Sequence, residues 1–177
     1  MATYIQIGST VTVGAGGAAS IDFTSIPSTY TDLLIKTSAR SNRAGATADN
    51  ILLQFNGSTA SVYSLRYLEG NGTSASSASV SGFTSLIAAY TNAGSSTANT
   101  FDNSEIYIPN YTSTTTAKSV SSDSVLENNA TLAYTYLAAS LWNPATQAAI
   151  TSIKLFPQVG TLFNQYSTAT LYGISKS

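Results

Sequence analysis

The sequence predicts an all-β fold, a single-domain antiparallel β-sandwich of jelly-roll type with about ten short strands. Three observations favour it. Apolar and polar residues alternate in many short segments, no segment carries the 3.6-residue apolar stripe of an amphipathic helix, and turn residues separate the segments. No fixed-period repeat and no Pro-rich or charge-rich linker divides the chain. We therefore expect one domain over residues 1–177.

The first quarter of the chain contains clear strand patterns. Residues 4–13 alternate between apolar and polar side chains, which indicates a half-buried strand. A short strand is predicted at 21–23, and Pro27 follows it, where the missing N–H donor breaks a ladder. Residues 31–40 form the next predicted strand.

A tight turn is predicted at Asn56-Gly57, because both residue types tolerate positive φ. The segments on either side, 50–55 and 62–68, have the composition of strands. We therefore expect these two strands to pair directly as a β-hairpin.

Two long surface loops are predicted, at 69–82 and at 91–99. Almost no side chain in 69–82 is both apolar and larger than alanine, so this segment can bury little surface. The remaining predicted strands are 83–90, for which a helical turn is the alternative, 104–111, 115–125, 131–142, 150–156 and 167–174.

The residue types that most enzymes use are missing. The chain has no histidine and no cysteine, but it has 28 serines and 25 threonines. A serine triad needs a histidine as its base, and zinc sites are built mainly from cysteine and histidine. Neither a Ser-x-x-Lys dyad nor a Gly-x-Ser-x-Gly elbow occurs. We expect a protein that is not an enzyme and holds no cofactor.

Carboxylates are the remaining candidates for acid/base or metal chemistry. Asp102 lies near Glu105 in the sequence, and Asp123 lies near Glu127. A glycosidase needs two carboxylates facing each other across a sugar, and closeness in the sequence does not provide that geometry. Asp49-Asn50, and Asp102-Asn103 with Glu105, offer oxygen ligands for calcium, but neither matches the EF-hand spacing. We expect these side chains to support turns and strand ends.

The charge content bears on the partners. Only 8% of the residues are charged and the formal net charge is −1, so electrostatic repulsion protects an isolated copy only weakly from association. We therefore expect a homo-oligomer or a chain covered by other subunits. The seven basic residues are scattered, which disfavours nucleic acid. No apolar run is long enough for a membrane span, and no secretion signal is expected at the first residues.

Aromatic residues share one side of several predicted strands. They suit protein interfaces and sugar-stacking platforms, because each ring pairs an apolar face with a polar tip. Cross-strand aromatic pairs also stabilise ordinary sheets, and both interpretations stay open. The candidates for an interface or a glycan contact are Tyr107, Tyr111, Tyr134, Tyr136 and Trp142.

Three segments carry a family resemblance: Phe23 to Leu33 (FTSIPSTYTDL), Leu53 to Gly57 (LQFNG) and Leu171 to Ile174 (LYGI). With these, the chain resembles small virion structural proteins of tailed bacteriophages, which are jelly-roll or β-sandwich modules on capsids, tails and fibres. The resemblance implies a multimeric, non-enzymatic particle component. It transfers no catalytic residue, since the matching positions are apolar or turn residues.

The leading expectation is a capsid decoration or cement subunit, made in the host cytoplasm and located on the virion. Its partners would be other virion proteins, with the loops at 69–82 and 91–99 as contact arms. The alternative is a tail or fibre module that binds a receptor or a host-surface glycan. A carbohydrate-active enzyme is supported by the carboxylates alone.

Overall fold

The computed structural model of the chain describes residues 2–129 and 132–175, and every regular element in these ranges is a β-strand. The all-β prediction is confirmed. The strands of the described residues are β1 (Thr3–Gln6), β2 (Val11–Thr12), β3 (Ile21–Phe23), β4 (Asp32–Ser38), β5 (Ala48–Phe55), β6 (Tyr63–Gly70), β7 (Ala75–Phe83), β8 (Leu86–Asn92), β9 (Asn103–Pro109), β10 (Lys118–Leu126), β11 (Tyr134–Trp142), β12 (Ile153–Pro157) and β13 (Thr168–Ser175).

The strands form two antiparallel sheets, as predicted for a sandwich. The larger sheet has nine strands in the order β1-β13-β4-β9-β10-β11-β6-β7, with β2 also paired to β13. The smaller sheet has four strands in the order β3-β12-β5-β8. The larger sheet is therefore much wider than the smaller one. The jelly-roll subtype stays a prediction.

The core lies between the sheets and is built mainly by alternation along the strands. In β5, the buried apolar side chains are Ile51, Leu53 and Phe55. Leu33 and Ile35 of β4, in the opposite sheet, belong to the same buried cluster. Each of these aliphatic side chains is fully buried, which contributes about 1.5–3 kcal/mol relative to exposure. The alternating pattern in the sequence is thus explained by one face of each strand.

The prediction of a long surface loop at 69–82 is wrong. Residues up to Gly70 belong to β6, a short turn follows, and β7 begins at Ala75. Asn71 closes the turn, because its side-chain oxygen accepts hydrogen bonds from the N–H groups of Thr73 and Ser74. None of the side chains of β7 is buried, so the strand needs no large apolar residue. Backbone pairing with β6 forms it in spite of its loop-like composition.

The segment predicted as a second loop, 91–99, begins inside β8, and the connection to β9 runs from 93 to 102. Buried Arg40 holds this connection together. Its guanidinium donates to the carbonyl oxygens of Thr97 at 2.7 Å, Ser96 at 2.9 Å and Thr100 at 3.1 Å. Three anchored carbonyls make this connection a fixed part of the fold.

The turn at Asn56-Gly57 is confirmed, but the predicted hairpin is wrong. Both residues have positive φ, 52° and 67°. Strand β5, however, belongs to the smaller sheet and β6 to the larger one, so the turn leads the chain from one sheet to the other. Asn56 is held by the segment before β12, since its side-chain oxygen accepts from the N–H groups of Thr151 at 2.8 Å and Ser152 at 3.1 Å.

Other predicted strands differ in their bounds. The strand predicted at 4–13 is interrupted between β1 and β2, and the one predicted at 115–125 begins only at Lys118. Thr131, where the strand 131–142 was expected to begin, lies outside the described residues.

Tyr30 and Gly173 form a close contact near the end of β13. A Cβ atom on Gly173 would overlap the ring of Tyr30. Thr31, next to Tyr30, donates its N–H to the carbonyl of Ile174 at 2.9 Å and its hydroxyl to the same oxygen at 2.7 Å. The segment just before β4 is therefore fastened to the last residues of β13 at this point.

We expect Gly173→Ala to lower the free energy of unfolding by about 1–3 kcal/mol, because the added methyl group overlaps the ring of Tyr30, which is packed against the core. Urea denaturation measures the change. Gly14→Ala is the control, since no heavy atom lies within 4 Å of the Cβ position there, and its effect should stay within about 0.5 kcal/mol. Equal effects of the two substitutions would contradict the packing argument.

Candidate functional site

Three of the five aromatic candidates are part of the interior. Tyr111, Tyr136 and Trp142 are each at most 2% exposed, so the prediction that they contact a partner is corrected for the folded chain. The hydroxyl of Tyr111 donates to the carbonyl of Pro27, and that of Tyr136 donates to Ile87 at 3.1 Å. These rings stabilise the sheets, which is the alternative that the sequence left open.

Trp142 packs in an aromatic cluster that joins both sheets. Its ring lies 5.4 Å from that of Phe55 in the smaller sheet and 6.4 Å from that of Tyr63 in the larger sheet. Phe55 donates its backbone N–H to the Tyr63 hydroxyl at 3.1 Å. The cluster covers the corner where the chain changes sheets after Asn56.

Tyr107 lies on the outer face of the larger sheet, on the side away from the core. Its hydroxyl donates to Asp32 at 2.9 Å, and the other oxygen of Asp32 accepts the N–H of Asn110 at 2.8 Å. Tyr107 is partly exposed, so its ring is accessible to a partner.

Tyr134 lines a cleft at one end of the sandwich. The cleft has a volume of about 580 Å³. Its aromatic wall is formed by Tyr134 and Tyr90, whose rings meet edge to face at 5.2 Å. Tyr90 in turn stacks on buried Tyr136 at 4.6 Å. The wall is therefore rigid, and Tyr134 presents a half-exposed ring.

Three charged side chains contribute to the same cleft. Glu69 accepts hydrogen bonds from Ser76 at 2.8 Å and from the Tyr90 hydroxyl. The pKa of Tyr90 is far above its usual range, mainly because the hydroxyl is buried and secondly because the Glu69 carboxylate lies beside it. The Tyr90 hydroxyl therefore keeps its proton and donates the hydrogen bond to Glu69. Arg43 is more accessible, with 36% of its side chain exposed and one N–H donated to the carbonyl of Ala48.

Asp49, the candidate calcium ligand, serves a structural purpose. Its oxygens accept the N–H groups of Val159 at 3.2 Å and Gly160 at 2.9 Å, and it lies 4.0 Å from Arg43. These bonds tie the segment after β12 to β5. In chemical terms the cleft offers aromatic faces, hydrogen-bond donors and acceptors, which suits a hydroxyl-rich ligand.

The outer face of the larger sheet carries an apolar pair that the sequence analysis missed. Leu68 and Leu137 lie directly opposite each other on β6 and β11 and are 53% and 56% exposed. Val125 on β10 is exposed on the same face. Each leucine stands at an outward position of an alternating strand, where a polar residue is expected. An apolar residue at an outward position was thus the signal in the sequence that could have identified this exposed pair.

The carboxylate pairs proposed from the sequence do not come together. Glu105 is on the outer face and forms an ion pair with Lys36 at 2.6 Å, whereas Asp102 is buried. Asp123 lies opposite Glu105 across β9 and β10, and its pKa is raised by burial and then by Glu105. This group lies on an open sheet face, which lacks the enclosing walls of a substrate cleft.

Asp102 is a buried carboxyl held by neutral donors. It accepts the N–H of Ala39 and the hydroxyls of Ser104 at 2.9 Å and Thr37 at 3.4 Å. Desolvation raises its pKa to about 7, and the hydrogen bonds offset only part of that effect. The folded chain therefore favours the protonated carboxyl relative to the unfolded chain.

Because the folded-state pKa of Asp102 lies above its unfolded value of 3.8, the folded state binds the extra proton between these two values. We expect the contribution of Asp102 to the free energy of unfolding to be largest below about pH 4 and to decrease by about 2–4 kcal/mol as the pH rises to 7. Urea denaturation of the wild type and of Asp102→Asn, at several pH values, measures the difference. Parallel pH profiles of the two proteins would contradict this assignment.

Comparisons with known proteins give no relative: no family model, no curated protein and no solved structure matches the chain. Among residues 2–129 and 132–175, no group of three or more acidic side chains is arranged to hold a metal ion. The same ranges contain no helix with the length and hydropathy of a membrane span.

Proposed function

We propose that the chain is a non-enzymatic structural protein of a tailed-phage virion, acting as a capsid decoration or cement subunit. The observation that carries the proposal is the exposed outer face of the larger sheet, with Leu68, Leu137 and Val125 open to solvent. In a chain with 8% charged residues, such a face is suited to contact with a neighbouring subunit.

The contact would act through burial of surface. Removing apolar area from water contributes about 25 cal/mol per Å² and is not weakened by salt. In the row that contains Leu137 and Leu68, Asp123 lies directly opposite Leu137 on β10, and Glu105 and Lys36 follow beyond it on β9 and β4. A neighbour that covers the leucines would leave Glu105 and Lys36 in solvent and would meet Asp123 at the rim of the contact, where a charge can stay hydrated.

The strand order supports the jelly-roll subtype of this proposal. Without β2 and the added strands β6, β7, β10 and β11, two four-stranded sheets remain, in the orders β1-β13-β4-β9 and β3-β12-β5-β8. Eight strands in two sheets are the framework of a jelly roll. The added strands widen one sheet and supply the leucine face.

Purified virions of the virus that encodes the chain should contain it at a fixed copy number, measured by quantitative mass spectrometry. Particles assembled without the chain should bind it when it is added back. Leu137→Lys should weaken this binding at least about tenfold, because a charge replaces an apolar contact. Thr12→Lys, an exposed substitution on β2, is the control and should bind normally. Absence of the chain from virions would contradict the proposed function.

A second candidate function is the binding of a glycan in the cleft beside Tyr134. The specific observation is the rigid wall of Tyr90 and Tyr134 with Glu69 and Arg43 nearby. Sugar rings stack on aromatic faces, and their hydroxyls pair with carboxylate and guanidinium groups. Since Asp49 and Glu69 outnumber Arg43, a neutral sugar fits this cleft better than an acidic one.

We expect neutral oligosaccharides to bind the wild type in isothermal titration calorimetry. Tyr134→Ala should weaken this binding at least about tenfold, because stacking area is lost. Tyr4→Ala removes a more exposed tyrosine, on the edge strand β1 far from the cleft, and should leave binding unchanged. A panel of neutral sugars without any binding would contradict the glycan candidate.

A further inference from the structure

The larger sheet ends in a strand whose outer edge is open. Among the described residues, β7 pairs with β6 alone. Its nine residues, Ala75–Phe83, include no charged side chain and no proline, and all but Val80 are exposed. Natural proteins usually protect such an edge with charges, prolines, bulges or short length, because unpaired N–H and C=O groups attract another strand.

The other sheet edges of the chain are protected. The backbone at the edge of β8 is paired with side chains of the opposite sheet. Tyr90 of β8 donates its N–H to the hydroxyl of Ser124 on β10 at 2.9 Å, and the hydroxyl of Tyr136 on β11 donates to the carbonyl of Ile87 at 3.1 Å. Strand β3 has three residues with Asp22 in the middle, and β1 has four residues. The contrast makes β7 the long edge that is left without protection.

The register of the β6–β7 hairpin identifies the groups that point outward. Asn71 donates its N–H to the carbonyl of Ser74 at 3.1 Å, so this pair is a hydrogen-bonded pair of the ladder. Such pairs alternate along antiparallel strands. Counting from Ser74, the N–H and C=O groups of Ser77, Ser79 and Ser81 point away from β6, toward the open edge.

We propose that β7 pairs in antiparallel orientation with β7 of a second copy of this chain, about a two-fold axis at Ser79. In this register Ser79 lies opposite its own copy, and Ser77 lies opposite Ser81. The outward groups of these residues form about six hydrogen bonds across the axis. The bulge between β6 and β7 near Gly82 limits the paired length at one end.

The side chains of β7 favour a second copy as the partner. From Ser77 to Ser81, the part that would pair, they are uncharged and, apart from Val80, small, so self-pairing brings no like charges of β7 together and no bulky groups into conflict. The two larger sheets would join into one continuous sheet. This inference goes beyond the proposed function, because it concerns the isolated chain and requires no particle.

The test uses the symmetry of the proposed register. Sedimentation equilibrium over a range of concentrations should show a reversible dimer of the wild type. Ser79→Lys should weaken dimerisation at least about tenfold, because the two lysines meet at the axis and Arg66, directly opposite Ser79 on β6, adds to the repulsion. Ser79→Glu should weaken it less, since Arg66 offsets part of the repulsion between the two glutamates. An equimolar mixture of these two variants should associate again, since Lys then lies opposite Glu. Ser79→Thr, a neutral strand former, is the control and should dimerise like the wild type.

Circular dichroism and thermal unfolding of each variant establish that Ser79 substitutions, at an exposed position, leave the fold intact. A wild type that stays monomeric at high concentration would overturn the inference. Unchanged dimerisation of both charged variants, or a mixture of them that stays monomeric, would also overturn it. The virion experiment is independent, because a monomeric chain can still be a particle component and a dimer can be absent from particles.

Discussion

The difference in width between the two sheets is the constraint on which the rest of this structure depends. Four strands cannot cover nine, so the core closes over one part of the larger sheet, up to buried Tyr63 and Leu65 in the first half of β6, and the rest of the β6–β7 hairpin extends beyond it. At the limit of the covered part, β8 packs against β10 and β11. The stacked rings of Tyr90 and Tyr136 fill the space at this boundary, and the hydroxyl of Ser124 accepts the N–H of Tyr90 on β8. The cleft and the open edge both lie outside this boundary.

In the part of the chain that the structure describes, the buried ionisable groups Arg40, Lys118 and Asp102 are held by neutral dipoles and not by an opposite charge. Arg40 donates to loop carbonyls, Lys118 donates to the carbonyls of Ser113 and Thr116 at 2.7 Å, and Asp102 accepts from hydroxyls and an N–H group. Burial lowers the pKa of Arg40 and Lys118 and raises that of Asp102, as desolvation requires. A sequence rich in serine and threonine can provide such partners at many positions.

The sequence predicted those features that follow from alternation and failed where another force decides. Strands such as β5 and β10 were predictable, because their buried faces carry apolar or small residues at every second position apart from Asp49 and Lys118 near the start of each strand. Strand β7 has no buried face, so its composition resembles a loop and backbone pairing alone defines it. Asn56 correctly indicated a turn after β5. Which strand β6 pairs with depends on the arrangement of the two sheets, so the predicted pairing of β5 with β6 failed. Even spacing along the strand predicted that Tyr136 and Trp142 share one face of β11, but it did not show that this face is the one buried in the core.

The overhanging hairpin has three separate surfaces that do not compete. Leu68 points to the outer face, Glu69 points to the inner face and the cleft, and the backbone of β7 forms the edge. Strand pairing at an edge uses backbone groups and leaves both faces of the sheet open. A two-fold pair about Ser79 would therefore place two leucine faces side by side and keep both clefts accessible. Two weak contacts on one rigid pair act together, since the second forms at a high effective concentration. A chain with little charge could gain firm attachment to a repetitive surface in this way.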